Sequence, residues 1–207
     1  MLLFDAPLTF RELMTHEEVP LAAVFREVLT FLRERPDAVL FGAQAVNAYC
    51  EPPRMTADID VLSSTPADLA EAIRERLATR LRIGTRVREV KGGAGLRVYQ
   101  VRKPKNRHLV DVRGVDTLPP YRVMEGVRVI EPGALVAMKA SAAAARSGQE
   151  KSLSDRLDLT RLLRTFPELR DEAQIAQLLP VDGAEGARAV WREIAAAPLE
   201  PDDDDDI

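Results

Sequence analysis

Cysteine occurs once, at Cys50, so the chain has no partner for an internal disulfide and no thiolate cluster for a structural zinc. That usage fits a reducing compartment. Histidine is almost as scarce. His16 and His108 are the only two, and neither has a Cys, Ser or second His at catalytic spacing, which leaves zinc and Ser-His-Asp chemistry without support. His108 precedes Asp111 by three, a spacing that on a strand puts the two on opposite faces and leaves His108 outside a site built on Asp111. GxxxxGK[ST] is missing, which excludes a P-loop. No apolar stretch approaches the roughly 20 residues of a membrane span, and the first twenty residues lack the basic start and apolar run of a signal peptide. The expectation is a cytoplasmic protein with no membrane partner.

With 207 residues, 46% hydrophobic and 30% charged, the chain has enough material for a sizeable core and the balance of a globular protein. Its net charge of −4 gives no global attraction for nucleic acid. The charge is uneven, however. Asp202–Asp206 are five consecutive aspartates, and without them −4 becomes +1, while residues 74–107 are rich in Arg and Lys. So like-charged a tail predicts disorder over 201–207 and a solubilising role.

Hydrophobic periodicity supplies most of the elements. Thr15-His16-Glu17-Glu18 is a capping-box pattern, and Leu21, Val24, Phe25, Val28, Leu29 and Leu32 follow at helical spacing, predicting a helix over 16–35 that Pro36 stops. Ala38–Gly42 reads as a buried strand, and residues 43–49 as a short helix before a Pro-Pro turn. Thr65-Pro66 has the form of an N-cap and first helical residue for a helix over 66–80. The period then becomes two. Residues 85–91 and 96–102 form a hairpin around Gly92-Gly93-Ala94-Gly95, followed by a strand over 107–113. From Pro132 the chain turns helical, with Ser147-Gly148 separating that helix from another over 151–165, whose core stripe is Leu157, Leu159, Leu162 and Leu163. Shorter helices are expected over 168–179 and 183–197, the latter sealed by Val190, Trp191 and Ile194. No internal repeat is present.

The chemistry centres on Leu40–Leu62, LFGAQAVNAYCEPPRMTADIDVL. Asp58 and Asp60 stand two apart on the second strand of that stretch, so their carboxylates project from one face while Ile59 and Val61 are buried. Paired carboxylates suit one or two hard cations such as Mg²⁺. Beside a glycine turn that lets a triphosphate approach the backbone, they are equipment for phosphoryl or nucleotidyl transfer.

A Gly-small pair after a strand, then a helix, then Asp-x-Asp on the next strand, resembles the nucleotidyltransferase superfamily of polymerase beta. The version FGAQAVNAY…R-x-T-A-D-I-D-V most resembles the small bacterial branch grouped with the AbiEii-type toxins, over roughly residues 38–165. Where that family usually has Gly-Gly or Gly-Ser, this chain has Gly42-Ala43. The resemblance implies an α/β fold of the polymerase beta-like nucleotidyltransferase type, a small mixed sheet with flanking helices and a C-terminal helical part. It divides the chain into a core over 1–131 and a helical part over 132–200 that completes the site.

It also implies residue roles. Asp58, Asp60 and Asp111 hold Mg²⁺, and Asp111 can orient or deprotonate the attacking hydroxyl. The alternative for Asp111 is an ordinary edge-strand carboxylate paired to Arg113 or Arg107; the functional reading is favoured because a buried unpaired Asp is costly without a cation or donor. Gly42 and Ala43 lie against the NTP, and Arg54 either approaches a phosphate or pairs with Glu51. Lys139 binds the triphosphate with Asp158 (or Asp155) orienting it; otherwise Lys139 is a snorkelling surface lysine, and the aspartates pair with Arg156, Arg161 or Lys151 along their helix. Arg97, Arg102, Lys103, Lys105 and Arg107 are either a solvated face or a surface for an RNA backbone. The implied activity moves an NMP from an NTP to a hydroxyl acceptor, RNA (tRNA included) or protein. The implied setting is a toxin with a cognate antitoxin, or phage defence. The alternative is a non-catalytic nucleotide-sensing or partner-binding module of the same fold.

Overall fold

The structure, a computed structural model, describes residues 19–90, 92–93, 95–179 and 184–198. The capping box at 15–18 and the acidic tail lie outside the described residues. The chain divides into two compact units, Met1–Glu131 and Pro132–Ile207.

The first unit is a seven-stranded mixed sheet of order β3-β4-β5-β2-β1-β7-β6 with helices against it. Its strands are β1 (Ala38–Phe41), β2 (Ile59–Ser63), β3 (Thr85–Glu89), β4 (Leu96–Gln100), β5 (Arg107–Gly114), β6 (Tyr121–Met124) and β7 (Val127–Ile130). β2 runs parallel to β5 and antiparallel to β1, and β1 runs parallel to β7. Helices α1 (Leu21–Leu32) and α3 (Pro66–Leu81) pack together, and α3 covers β2 to β5. The apolar stripe of α1 is buried as its spacing requires, but the helix starts after Pro20 and ends at Leu32. A third helix, α2 (Gly42–Tyr49), springs directly from β1.

The β6–β7 hairpin was not anticipated from sequence, although YRVM-EG-VRVI alternates on both sides of a two-residue turn. Glu125 and Gly126 have φ of 49° and 83°, as a primed hairpin turn demands. Thr65 also departs from expectation. Its hydroxyl makes no helix cap and instead donates to Asp37 Oδ2 at 2.5 Å. Arg35 grips the same carboxylate through Nε and Nη2 at 2.9 and 2.7 Å. Asp37 therefore ties the entrance of β1 to the start of α3.

The Arg35 guanidinium holds the Asp37 carboxyl down to about 2. A carboxyl lowered on folding stabilises above its unfolded value near 4, and that stability is lost as pH falls through about 2. Asp37→Asn is accordingly expected to lose about 1–3 kcal/mol at neutral pH, the scale of hydrogen bonds to a charged group. Urea melts from pH 7 downward should show the gap to wild type closing between pH 4 and 2. A gap of constant size would refute the assignment.

The second unit is helical: α4 (Pro132–Ala145), α5 (Glu150–Thr165), a 3-10 turn over Pro167–Arg170, one turn of α6 (Glu172–Ile175) and α7 (Ala184–Ala196). The expected helix over 168–179 is thus two short turns. Trp191 and Ile194 are buried, and Trp191 Nε1 donates to the Leu169 carbonyl at 3.1 Å. Leu157 does not join the core stripe of α5; it is 52% exposed. The face that Leu157 was expected to share is set instead by Ser152, Asp155 and Asp158, which are buried with Leu159, Leu162 and Leu163. Polar residues turned inward in place of leucines point to a charged partner inside this unit.

Candidate active site

Strand alternation fixes which side chains meet on the sheet. Thr85 Oγ1 donates to the Arg74 carbonyl of α3 at 2.9 Å, so Thr85 and Val87 face that helix. The register Val87–Val98–Val110–Ile59 carries the same facing across four strands. Asp60 and Asp111 fall on the other face. They are register partners on parallel neighbours, which puts their carboxylates side by side, with backbones about 5 Å apart.

Gly42 makes the seat for Asp60. The chain leaves β1 at Phe41, the register partner of Asp60, and turns into α2 through Gly42 at φ +71°. A Cβ at that position would stand 2.7 Å from Asp60 Cγ and 2.8 Å from its Cβ, and closer still to Oδ2. No side chain larger than hydrogen fits there while Asp60 keeps its place. Ala43, next along α2, is 8% exposed.

Asp111 is nearly enclosed and is gripped by Arg97, its register partner on β4. Arg97 Nη2 lies 3.2 Å from Oδ2, and Nε lies 3.3 and 3.4 Å from the two oxygens. The hydrogen bond to Asp111 raises the guanidinium above its ordinary value. Sequence reading had weighed Arg113 and Arg107 as partners. Arg113 instead stacks over the Phe41 ring at 5.0 Å.

His108 overturns the expectation that it lies away from the site. Its Nδ1 is 3.1 Å from Asp58 Oδ2. The cause is a register shift: Val98 pairs with Val110, but Tyr99 pairs with His108, so Leu109 is an extra residue on β5. A β-bulge breaks the period of two and re-aims the residues after it. His108 consequently sits beside the Tyr99 ring, centroids 5.5 Å apart, and reaches Asp58. Asp58 itself stands just before β2, which begins at Ile59. Nothing in the local sequence marks the bulge, so counting residues could not find it.

The loop that delivers Asp58 is held by Asn47 of α2, whose amide accepts from Arg54 N at 3.0 Å and donates to Arg54 O at 2.7 Å. Arg54 Nη1 donates to the Met55 carbonyl at 3.1 Å, and Thr56 Oγ1 to the Asp58 carbonyl at 3.1 Å. The loop's backbone is thus pinned at both ends.

The remaining site candidates belong to the second unit. Lys139 of α4 is buried, not a snorkelling surface lysine. Its Nζ lies 2.7 Å from Asp158 Oδ2 and 3.1 Å from Asp155 Oδ1. Arg146 Nη1 completes the group at 2.6 Å from Asp155 Oδ2. Asp158 is wholly enclosed.

A hard divalent cation fits the first unit's donors in kind, since Asp60 and Asp111 offer only carboxylate oxygens from adjacent strands. Among the described residues no three His, Cys, Asp or Glu side chains form a ready-made metal group. Asp58 and Asp111 are turned to His108 and Arg97. Among the described residues no helix is long and apolar enough to cross a membrane.

No protein-family model and no curated protein sequence matches this chain. Solved structures do. JHP933 from Helicobacter pylori superposes with a TM-score of 0.57 at 17% identity, over 91% of this chain and 92% of that one. The Megavirus polyadenylate synthase superposes with a TM-score of 0.58 at 12% identity, over 77% of this chain and 36% of that one. The antibiotic-resistance factor ANT(2'')-Ia reaches a TM-score of 0.49 at 16% identity, over 81% and 87%. The mixed sheet with its flanking helices is of the nucleotidyltransferase type that the Asp-x-Asp strand led us to expect.

Proposed function

We propose that the chain is a metal-dependent nucleotidyltransferase that moves an NMP from an NTP to a hydroxyl acceptor. The observation that carries this reading is the seating of Asp60 against Gly42, beside Asp111. In this reading a bound cation offsets the repulsion between two carboxylates held side by side on a sheet face.

In this reading Asp58, Asp60 and Asp111 would hold Mg²⁺, which when bound would supply positive charge to offset the charge developing on the departing pyrophosphate. The acceptor oxygen bonds to the α-phosphorus, the bond from that phosphorus to the β-phosphate oxygen breaks, and pyrophosphate leaves. Asp111 takes the hydroxyl proton on a carboxylate oxygen, a role that requires Arg97 to loosen its grip. His108 steadies the Asp58 carboxylate, and Asn47 fixes the loop that presents it. Polyadenylate synthase, the named activity of one structural neighbour, is consistent with such a transfer. The toxin setting, a cognate antitoxin, the AbiEii-type branch and the cytoplasmic location belong to this proposal too. So does a triphosphate role for Lys139, Asp158, Ala43 and Arg54.

A second reading is a nucleotide sensor without turnover. Arg97 on Asp111 and His108 on Asp58 favour it, because both carboxylates are satisfied as they stand. Incubation with α-labelled NTPs, Mg²⁺, total RNA and a protein extract separates the two. Wild type should label one acceptor, and Asp60→Asn, which keeps the shape but removes the charge, should lower the rate by at least about 1000-fold, the scale at which an essential charge acts, with an unchanged melting curve. Equal labelling by Asp60→Asn would end the transferase reading. Stabilisation by an NTP and Mg²⁺ without any labelling would establish the sensor.

A further inference from the structure

The face that carries the carboxylates continues outward along the sheet. Register sets Arg88 beside Arg97 and Arg86 beside Tyr99. The alternation that turns Thr85 and Val87 toward α3 turns these four side chains to the opposite face. Arg88, Arg97, Asp111 and Asp60 therefore form one row across β3, β4, β5 and β2, with successive strands about 5 Å apart. Of the three arginines only Arg97 has a carboxylate among the described residues. Among the described residues the Arg86 and Arg88 side chains make no hydrogen bond or ion pair, and Arg86 Nε is buried without a partner.

Two cations directly opposite on paired strands destabilise a hairpin, and a buried guanidinium N–H without an acceptor adds to that cost. The pair is explained by an anion that arrives with the ligand. Cations repeating at strand spacing suit successive phosphates better than a single one, and phosphate contacts require only point charges. An aromatic ring among them offers a face for an unstacked base, the combination by which open sheets hold single strands.

We propose that the β3–β4 ribbon binds a single-stranded RNA, with phosphates along Arg86, Arg88 and Arg97 and a base stacked on Tyr99. The row leads its end to Asp111 and Asp60. That this RNA is the acceptor rests on the transferase reading; that it binds does not.

Fluorescence anisotropy of a short labelled single-stranded RNA, with EDTA present so that no transfer occurs, tests the surface directly. Wild type should bind, and Arg86→Gln/Arg88→Gln should weaken binding at least about tenfold. The salt slope should fall by about 1.4, from roughly 0.7 per phosphate contact on a single strand. Tyr99→Phe should bind as wild type does. Arg88→Gln alone, at an exposed position, serves if the double variant melts early. Absent RNA binding, equal binding by the arginine variants, or tighter binding of single-stranded DNA or inorganic polyphosphate would overturn the proposal. The two readings fail separately. RNA binding that depends on Arg86 and Arg88 without any transfer removes the reaction and keeps the surface. Transfer by a protein that binds no RNA, or that binds it independently of both arginines, removes the surface and keeps the reaction.

Discussion

Gly42→Ala is expected to unsettle both the fold and the reaction. Two penalties combine. A residue with a Cβ at φ +71° pays about 1–2 kcal/mol for the left-handed conformation. Overpacking adds about 1–3 kcal/mol, because the new methyl would lie 2.7 Å from Asp60 Cγ. For a chain of this size the sum lowers the melting temperature by roughly 10 °C. The carboxylate is the softer partner, so Asp60 should move. Displacement of a catalytic group by about 1 Å can cost on the order of 100-fold in rate. Gly92→Ala is the matched control, since it has φ +84° with nothing within 4 Å of a new Cβ, and it should show the conformational penalty alone. Equal losses in the two variants would mean that Asp60 is not seated against Gly42. A Gly42→Ala enzyme with full transfer would mean that the seat is irrelevant to chemistry.

How far such features were legible in the chain varies with the range of the interaction. The β1–α2–β2 unit was readable because each step is local: an apolar run, a glycine, a helix of small residues, then Asp-x-Asp. The hairpin of β3 and β4 was readable from alternation and its glycines. Long-range register was not. Sequence neighbourhood offers Arg113 and Arg107 to Asp111, but its partner is Arg97, fourteen residues away and opposite it on β4. Strict alternation puts His108 on the wrong face because one extra residue on β5 breaks the period of two. The second unit misled differently. Spacing along one helix points to partners on that helix for Asp155 and Asp158, but the contact that Lys139 of α4 makes with both is a between-helix contact that spacing does not reveal.

That cluster yields the second large effect. Lys139→Met is expected to destabilise the second unit by about 3–5 kcal/mol, the consequence of removing one member of a buried ion pair and leaving the other charged. Asp158 is wholly enclosed, and Asp155 keeps Arg146 at 2.6 Å. The double variant Lys139→Met/Asp158→Leu removes the pair together and should regain most of the loss, because buried ion pairs replaced by apolar groups of similar volume are often no less stable. Urea unfolding of the three proteins gives the comparison. If the double variant stays as unstable as the single one, the salt bridge is not what Lys139 contributes. The same double variant separates structure from chemistry. A protein that is restored in stability, and that binds NTP as wild type does, would assign Lys139 to the core of the helical unit. A restored protein whose NTP affinity falls by about tenfold or more would assign it to the triphosphate, since removing one charge-assisted phosphate contact is worth about 1.5–3 kcal/mol. In that case the two aspartates would be the counter-ions that hold the ammonium ready.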